Sequence, residues 1–372
     1  RLPLSFSSQS RLVSSLNRSS VFFSVPKMPR LLKVAAAQMG PIHLSSKREE
    51  TMDRMLKLLK EAAGLGAQIV LFPETAFTTF FPRHLLEGDA LEAYFENGKT
   101  ITTAPQTAPI FEEAKKLGID ISIGFAERTE EGTGYNTQIY YSAKDGEVIS
   151  TYRKVHLPGT KEPFENPDAI NQLEKRYFEP GNLGFKAFRA PNLIEGAVKK
   201  GQTVEGSTTG KGDPILGTLI CNDRRWPEAW RVYGLQGVEL VLCGYNTTGW
   251  APDLWGATKP MTHKEAEDLA VFHHQLVMQS NGYMNSCFSV SAAKAGLEDG
   301  KFDLIGGSCI TDPQGRIVAQ AKTKDDEIVF AEIDLEDCVQ GKKATFDFGR
   351  HRRIEAYGLI SQQTGVIEPE LL

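Results

Sequence analysis

Three predicted strands end in side chains that could do covalent chemistry. Apolar runs lead to Glu74, to Lys154 and to Cys221. In open α/β sheets, active sites form at the carboxyl ends of strands. A carboxylate, an ammonium and a thiol that meet there supply a general base, an oxyanion partner and a nucleophile. Taken alone, a glutamate after a strand is usually a solvated cap, a lysine there is usually a surface residue, and a cysteine there usually belongs to the core. The hypothesis therefore depends on all three residues together.

The elements that must position these residues begin with a strand, a helix and a second strand. Residues 34–38 and 69–72 are apolar runs, and between them a capping box at Ser46–Glu49 predicts the start of a helix that Gly64 and Gly66 end. Such a βαβ unit indicates a parallel sheet. Alternating residues on both sides of Lys144-Asp145-Gly146 predict a hairpin of 138–142 with 148–152.

The remaining pattern predicts a second sheet. Further strands are predicted at 119–126, 215–221, 238–243, 288–292, 308–311, 316–320 and 328–333, and further helices at 110–117, 228–233 and 265–280. About ten strands with about five helices are too many for one flat sheet, so we expect two packed sheets in a single α/β domain. A Gly-, Thr-, Ser- and Lys-rich stretch at 196–212 reads as a surface loop insertion.

Composition excludes several function classes. The net charge of −5 provides no basic surface for nucleic acid, and no apolar run is long enough to cross a membrane. The 5 cysteines form no CxxC pair, which favours a reducing compartment over a disulfide framework, and the 7 histidines show no HExxH spacing. We therefore expect no metal, no cofactor, and a small molecule as the ligand.

The first thirty residues have a different composition. They are rich in Ser and Arg, and the first acidic residue of the chain is Glu49. Residues 1–30 are therefore predicted to be a disordered leader, either a mitochondrial transit peptide or sequence that precedes a start at Met28. The expected location is cytoplasmic, or mitochondrial if residues 1–27 are a transit peptide.

The motifs around the three reactive residues resemble a known superfamily. The strings FPE, YRKxHLPG and ICxD occur in this order at Glu74, Lys154 and Cys221, and they are similar to those of the nitrilase superfamily of carbon–nitrogen hydrolases. Longer strings at 78–83, 173–181, 221–231 and 244–247 resemble the N-carbamoyl-D-amino acid amidohydrolases. The similarity runs from about residue 34 to about residue 359.

That resemblance implies a fold and a set of roles. The fold is a four-layer αββα sandwich of two mixed sheets flanked by helices, with a hydrolase domain at 31–340 and a tail at 341–372 that lies at a subunit interface of a homodimer or homotetramer. Cys221 is the implied nucleophile, Glu74 the general base and Lys154 the oxyanion-side cation. Glu174 matches a second glutamate near the nucleophile.

The implied substrate is an N-carbamoyl-D-amino acid, cleaved through a Cys-linked acyl intermediate to the D-amino acid, ammonia and CO2. A urea-type carbonyl is a poor electrophile, because two nitrogens donate into it, and a thiolate is a suitably strong nucleophile. Arginine suits bidentate carboxylate binding. The resemblance therefore assigns a carboxylate pocket to Arg224, Arg225, Asn246 and Thr247, although either arginine could instead make structural salt bridges.

Two further residues are candidates at this site. The backbone N–H of Asn222 is a possible oxyanion donor. His156 follows Lys154 by two residues, so on a strand both would point the same way, either supporting the site or as a satisfied structural histidine.

Alternatives remain open at the level of the sequence. A related amidase or an N-carbamoylputrescine-type hydrolase shares the Glu–Lys–Cys set, and only Arg224 and Arg225 favour a carboxylate substrate over these. A catalytically silent binding protein on the same fold is the remote alternative. The sequence also departs from the family pattern at Gln172, where a pocket-rim histidine is expected, which leaves the side-chain preference and the stereopreference open.

Overall fold

The structure is a computed structural model that describes residues 29–205, 207 and 209–372. Residues 1–28 of the predicted leader lie outside the described residues. Arg30, which the prediction assigned to the leader, is buried, and its guanidinium donates to the Glu239 carboxylate at 2.5 Å. The folded domain therefore includes Arg30.

The described residues form fifteen strands and ten α-helices. The strands are β1 (Leu31–Gln38), β2 (Ile69–Leu71), β3 (Phe95–Asn97), β4 (Asp120–Arg128), β5 (Gly134–Ser142), β6 (Glu147–Arg153), β7 (Phe188–Arg189), β8 (Ile215–Ile220), β9 (Leu240–Tyr245), β10 (Phe288–Ala293), β11 (Ala295–Glu298), β12 (Phe302–Ile305), β13 (Cys309–Thr311), β14 (Ile317–Gln320) and β15 (Glu327–Asp334). The helices are α1 (Arg48–Gly64), α2 (Gly88–Glu92), α3 (Ala108–Leu117), α4 (Glu174–Tyr177), α5 (Pro227–Leu235), α6 (Pro252–Trp255), α7 (His263–Asn285), α8 (Asp337–Lys343), α9 (Phe348–His351) and α10 (Gly358–Gln362). Short 3₁₀ turns occupy Phe81–Arg83, Cys221–Arg225 and Ile354–Ala356.

Two mixed sheets pack face to face, which confirms the prediction of an αββα sandwich. The first has the order β15-β1-β2-β4-β5-β6, with β3 beside β4, and the second has the order β14-β13-β10-β9-β8-β7. In each sheet parallel central strands are flanked by antiparallel ones: β1 pairs parallel with β2 and antiparallel with β15. A separate two-stranded sheet joins β11 to β12.

The alternation of β1 shows how the layers form. Leu32, Val34 and Ala36 belong to the cluster between the two sheets, which also holds residues of β9 and β10. Ala35 and Ala37 face the other way and pack with α1 and α3. Successive side chains of a strand point to opposite faces, so a continuous apolar run is what a doubly covered strand requires. On the outer face of the second sheet, α5 and α7 cover β8 and β9.

The starts of α1 and α7 differ from those predicted. The predicted capping box at Ser46 is wrong: α1 is preceded by Lys47 without a side-chain cap, and the Ser46 hydroxyl instead accepts from the backbone N–H of His43 at 2.9 Å. The capping box of α7 is at Thr262, whose hydroxyl accepts from the N–H of Glu265 at 3.2 Å. That cap sets the start of α7 at His263, and the helix ends at Asn285, so it is longer than the predicted 265–280.

Two further segments are the loop at 196–212 and the C-terminal tail. The described residues of the 196–212 stretch are mostly exposed, and a bridge between Val198 and Gly212 joins its two ends, as predicted for a surface loop. Cys338, just before the tail, is buried, whereas Ile354 and Leu359 in the tail are exposed. Association of this tail with a second copy stays a prediction. No helix within the described range is long and apolar enough to cross a bilayer.

Candidate active site

The fold brings the three reactive strand ends together from both sheets. Glu74 follows β2 and Lys154 follows β6 in the first sheet, whereas Cys221 follows β8 in the second. Glu174 is the first residue of α4. Glu74, Lys154 and Glu174 are fully buried and Cys221 is 2% exposed. The four candidate catalytic residues therefore lie at one edge of the sandwich, between its inner faces.

An ammonium bridges the two glutamates. Lys154 Nζ donates to Glu74 Oε1 at 2.8 Å and to Glu174 Oε2 at 2.6 Å. Asn136 Nδ2, from β5, donates to Glu74 Oε1 at 2.7 Å. Gln172 Nε2 donates to Glu174 Oε1 at 2.6 Å, so the residue that replaces the family's histidine holds the second glutamate.

Burial moves the titration of the Glu174 carboxyl group towards neutral pH. Burial raises the pKa of Glu174 to about 7, with Lys154 opposing and Glu74 adding to the rise. Burial alone would lower the pKa of Lys154, but its electrostatic interactions with Cys221, Glu174 and Glu74 raise it above its ordinary value. Lys154 is therefore a permanent cation between two carboxyl groups of which one takes up a proton readily.

Cys221 occupies a strained turn. Its φ of 48° is in the left-handed region, which a residue with a side chain rarely adopts, and it begins the 3₁₀ turn directly after β8. The thiol donates to the carbonyl of Asn246 at 3.3 Å. Burial and the charge of Glu74 raise the pKa of Cys221, while Lys154 and Arg224 act against them. The thiol is therefore held neutral until a base accepts its proton.

The second oxygen of Glu74 is fixed by the other sheet. Oε2 accepts from the backbone N–H of Asn246 at 3.1 Å and from its Nδ2 at 3.2 Å. Asn246 follows β9, next to β8 and Cys221. Nδ2 also donates to the Glu74 backbone carbonyl at 3.1 Å, so Glu74 engages both amide hydrogens. Asn246 therefore orients the base, and because it also lines the pocket its carboxylate-binding role stays a prediction.

A pocket of about 510 Å³ opens onto Cys221. Its polar side includes Asn222, Arg225, Thr247, Gln172 and His273. Its apolar side is formed by the segment after β9 and the start of α7, including Ala251, Leu254, Trp255, Met261, Leu269 and Ala270. Among the described residues that line this pocket there is no Asp or Glu, and the loop at 196–212 is not part of the lining.

The two predicted substrate arginines point in different directions. Arg224 is fully buried and does not line the pocket: it donates to the Cys221 carbonyl at 2.6 Å, to Thr247 Oγ1 at 3.0 Å and to His274 Nδ1 at 3.1 Å. Its predicted direct contact with a substrate is therefore corrected to positioning of the nucleophile turn. Arg225 lines the pocket, and its one hydrogen bond within the described structure is to Asn222 Oδ1 at 3.3 Å.

His156 also differs from its prediction. It does not line the pocket, because the chain leaves the strand conformation after Arg153 and the same-face relation to Lys154 is lost. Its Nδ1 lies 2.8 Å from Asp223 Oδ1, and its ring stacks on the Trp226 ring with 4.8 Å between the ring centroids. Asp223 Oδ2 also accepts from the Tyr152 hydroxyl at 2.7 Å. His156 thus braces the turn that carries the nucleophile.

Sequence reasoning missed Asn136 and Asp223 as parts of the site. Asn136 lies inside a strand that reads as buried, and a polar side chain at such a position is itself a signal. Asp223 lies two residues after the nucleophile but points back to the Ile220 N–H at 3.2 Å and to His156. No group of three or more potential metal ligands occurs in the described part of the chain.

Comparison with known proteins places this site in a family. The model of the carbon–nitrogen hydrolase family matches residues 33–343. An N-carbamoylputrescine amidase of Arabidopsis thaliana is 28% identical, covering 83% of this chain and 89% of that protein, and a citrullinase of Francisella tularensis is 27% identical, covering 88% and 96%. The crystal structure of a carbon–nitrogen hydrolase from Helicobacter pylori G27 superimposes with a TM-score of 0.69 at 21% identity, covering 90% of this chain and 99% of that one.

The chain belongs to the carbon–nitrogen hydrolase family, and its fold is that of the nitrilase superfamily. It is a hydrolase of amide-like carbon–nitrogen bonds. The similar proteins include N-carbamoylputrescine amidases and a citrullinase, so the family match does not extend to the particular substrate.

Proposed function

We propose that this protein hydrolyses the carbamoyl group of N-carbamoyl amino acids, releasing the amino acid, ammonia and CO2, with the D-enantiomer preferred as the motif resemblance implies. The observation that carries the proposal is the charge of the pocket. Arg225 lines it, and no acidic side chain is present in the described lining to neutralise that guanidinium.

The electrostatics of Arg225 favour an anionic ligand. The positive charge of the neighbouring Arg224 lowers the pKa of Arg225 to about 10, so this exposed residue stays protonated at neutral pH. The two adjacent guanidiniums repel each other, and neither donates to a carboxylate in the described structure. A substrate carboxylate next to Arg225 would relieve this repulsion and accept a charge-assisted hydrogen bond.

The same feature argues against a cationic substrate. N-carbamoylputrescine, the substrate that the name of the Arabidopsis relative indicates, ends in an ammonium group. The substrate ammonium would lie near the positive charge of Arg225, with no carboxylate in the described lining to bind that ammonium. Like charges at close range disfavour binding. The sequence similarity to that relative nevertheless makes N-carbamoylputrescine hydrolysis the second candidate function.

The apolar side of the pocket supports an apolar substrate side chain. Leu254, Trp255, Met261 and Leu269 lie opposite the polar side of the pocket. Burying apolar substrate surface against these side chains favours binding by about 25 cal/mol per Å². An aromatic or branched aliphatic side chain is the expected fit for this side of the pocket.

The reaction follows from the positions of the polar groups. Glu74 takes the thiol proton of Cys221 while the sulfur bonds to the carbamoyl carbon, and the oxyanion forms beside Lys154 and the Asn222 N–H. The first amine to leave takes the proton from Glu74 as the carbon–nitrogen bond breaks. Water then gives a proton to Glu74 and attacks the carbonyl carbon of the Cys221 thiocarbamate. The carbon–sulfur bond breaks, the sulfur takes the proton back from Glu74, and the released carbamic acid loses CO2 to give the second amine.

Replacing Arg225 with Gln tests the charge assignment. For a carbamoyl amino acid we expect kcat/KM to fall by about 2 to 3 kcal/mol of transition-state binding, roughly 30- to 150-fold, mostly through KM. For the carboxamide derivative of the same compound, which lacks the negative charge, the fall should stay within about threefold. Steady-state ammonia release measures both.

The matched control is Arg231→Gln, on α5 outside the pocket, where the guanidinium lies over the Phe348 ring. This variant should leave kcat/KM for both substrates unchanged. If kcat/KM of the Arg225→Gln variant fell equally for the charged and the neutral substrate, Arg225 would not bind the substrate carboxylate.

A further inference from the structure

A second lysine is buried beside the candidate base without a part in the chemistry described so far. Lys294 follows β10 in the second sheet and is fully buried. Its backbone forms a bridge with Met39, which follows β1 of the first sheet. Lys294 therefore lies where the two sheets meet, and it follows a strand of the second sheet, whereas Lys154 follows β6 of the first sheet.

The Lys294 ammonium is bound by the segment that carries Glu74. Nζ donates to the carbonyl of Thr75 at 2.8 Å and also to the carbonyl of Thr78, and it lies 3.4 Å from the Thr75 hydroxyl. Thr75 has a φ of 48°, in the left-handed region, and its hydroxyl donates to the Glu74 carbonyl at 2.8 Å. The residue directly after the base is thus in a strained conformation, which persists only where surrounding contacts over-determine it.

The burial of this ammonium is costly for the fold alone. Burial lowers the pKa of Lys294 to about 7, with the charge of Glu298 opposing and that of Arg83 adding to the fall. Glu298 is itself paired with Arg83 at 2.6 Å, and no carboxylate accepts from Lys294 in the described structure. Because buried charged groups are often replaceable by apolar ones of similar size without loss of stability, stability alone does not explain this lysine.

We propose that Lys294 is a positioning residue for the base: its ammonium clamps the Thr75 and Thr78 carbonyls and so fixes the strained turn that aims the Glu74 carboxylate at Cys221. Lys294 acts through Glu74 and does not contact substrate. The inference depends on Glu74 being the base of the proposed function, but not on which substrate the pocket accepts.

The test is a double-mutant cycle on the reactivity of the Cys221 thiol. Lys294→Met keeps the bulk of the side chain and removes the donors. We expect kcat to fall roughly 10- to 100-fold, as a small displacement of a catalytic group produces, with KM within about threefold of wild type. The rate of Cys221 alkylation by iodoacetamide at neutral pH should fall in parallel. In a Glu74→Gln background, Lys294→Met should cause no further fall in that rate.

The matched control is Lys342→Met. Lys342 Nζ also donates to two backbone carbonyls, those of Gly237 and Val238 at 2.9 and 2.7 Å, which precede β9 at the opposite end of that strand from Asn246. Its removal should lower the melting temperature without changing kcat or alkylation. Should Lys294→Met fail to fold, Lys294→Gln, which is too short to hold both carbonyls, takes its place in the cycle.

Three outcomes would overturn the proposal: a folded Lys294 variant with wild-type kcat and alkylation rate, a loss that is additive with Glu74→Gln, or a loss that appears in KM alone. A wrong substrate assignment would leave the alkylation results unchanged. Failure of the substrate proposal and failure of this one are therefore separable.

Discussion

Cys221→Ala should abolish turnover, with a loss of roughly 10⁴-fold or more in kcat, and leave the fold intact. The thiol is the strongest nucleophile among the described pocket-lining residues, and it is the one that Glu74 and Lys154 surround. It is held neutral by burial and by the charge of Glu74, so its reactivity depends on a base that is already in place. Ammonia release and circular dichroism of the variant measure the two halves of this expectation.

Cys243→Ala is the matched control for this substitution. Cys243 is also fully buried, on β9 directly beside β8, and burial raises its pKa to about 12. Removing its thiol should cost stability by leaving a small cavity, with kcat within a few-fold of wild type. Near-normal activity in Cys221→Ala, or a comparable loss in Cys243→Ala, would contradict the assignment of the nucleophile.

Lys154→Met should damage both catalysis and stability. Lys154 is the ammonium that both Glu74 and Glu174 accept from, and its removal leaves two buried carboxyl groups facing each other. We expect a loss of roughly 10³-fold in kcat, because the oxyanion loses its cation. The free energy of unfolding should fall by about 3 to 5 kcal/mol, as it does when one partner of a buried ion pair is removed.

The stability loss should depend on pH in a stated direction. The pKa of Glu174 is already raised to about 7, and Lys154 acts to lower it, so removing the lysine raises it further. A carboxyl group whose folded-state pKa exceeds its unfolded value destabilises the fold as pH rises towards and through the folded pKa. The melting temperature of Lys154→Met should therefore lie closest to that of wild type at acidic pH and fall away as pH rises through about 7.

A surface lysine provides the comparison for that pH series. Lys99 pairs with Glu130 at 2.6 Å, with both side chains largely exposed. Lys99→Met should change neither kcat nor the melting temperature appreciably, since exposed ion pairs contribute little. A Lys154→Met variant with wild-type stability across the pH range would show that the two glutamates do not depend on the ammonium.

The sheet architecture could be predicted because burial on both faces leaves a plain pattern in the sequence. The continuous apolar run of β1 and the alternation around the 144–146 turn gave the βαβ unit and the hairpin, whose register pairs Gln138 with Tyr152. The short strands β3, β11 and β12 were missed, since three or four residues carry too little periodicity to stand out.

The directions of neighbouring side chains could not be predicted. Arg224 and Arg225 are chemically identical and adjacent, but in a 3₁₀ turn each residue advances by about a third of a revolution, so one enters the core and the other the pocket. Nor does the sequence show that β6 ends at Arg153, which is what separates His156 from Lys154. Ser46 matched a helix-capping pattern, but its hydroxyl is used within the preceding turn.

The most direct test of the proposed function is ammonia release by the wild-type enzyme from a panel that varies the charge and stereochemistry of the substrate and the group that is hydrolysed. The panel contains N-carbamoyl-D- and L-amino acids with apolar side chains, N-carbamoyl-β-alanine, citrulline, N-carbamoylputrescine, and simple amides and nitriles. The proposal predicts the highest kcat/KM for a carboxylate-bearing N-carbamoyl amino acid, with the D-enantiomer ahead. Turnover confined to N-carbamoylputrescine and other carboxylate-free compounds would contradict it, while leaving the Glu74–Lys154–Cys221 chemistry in place.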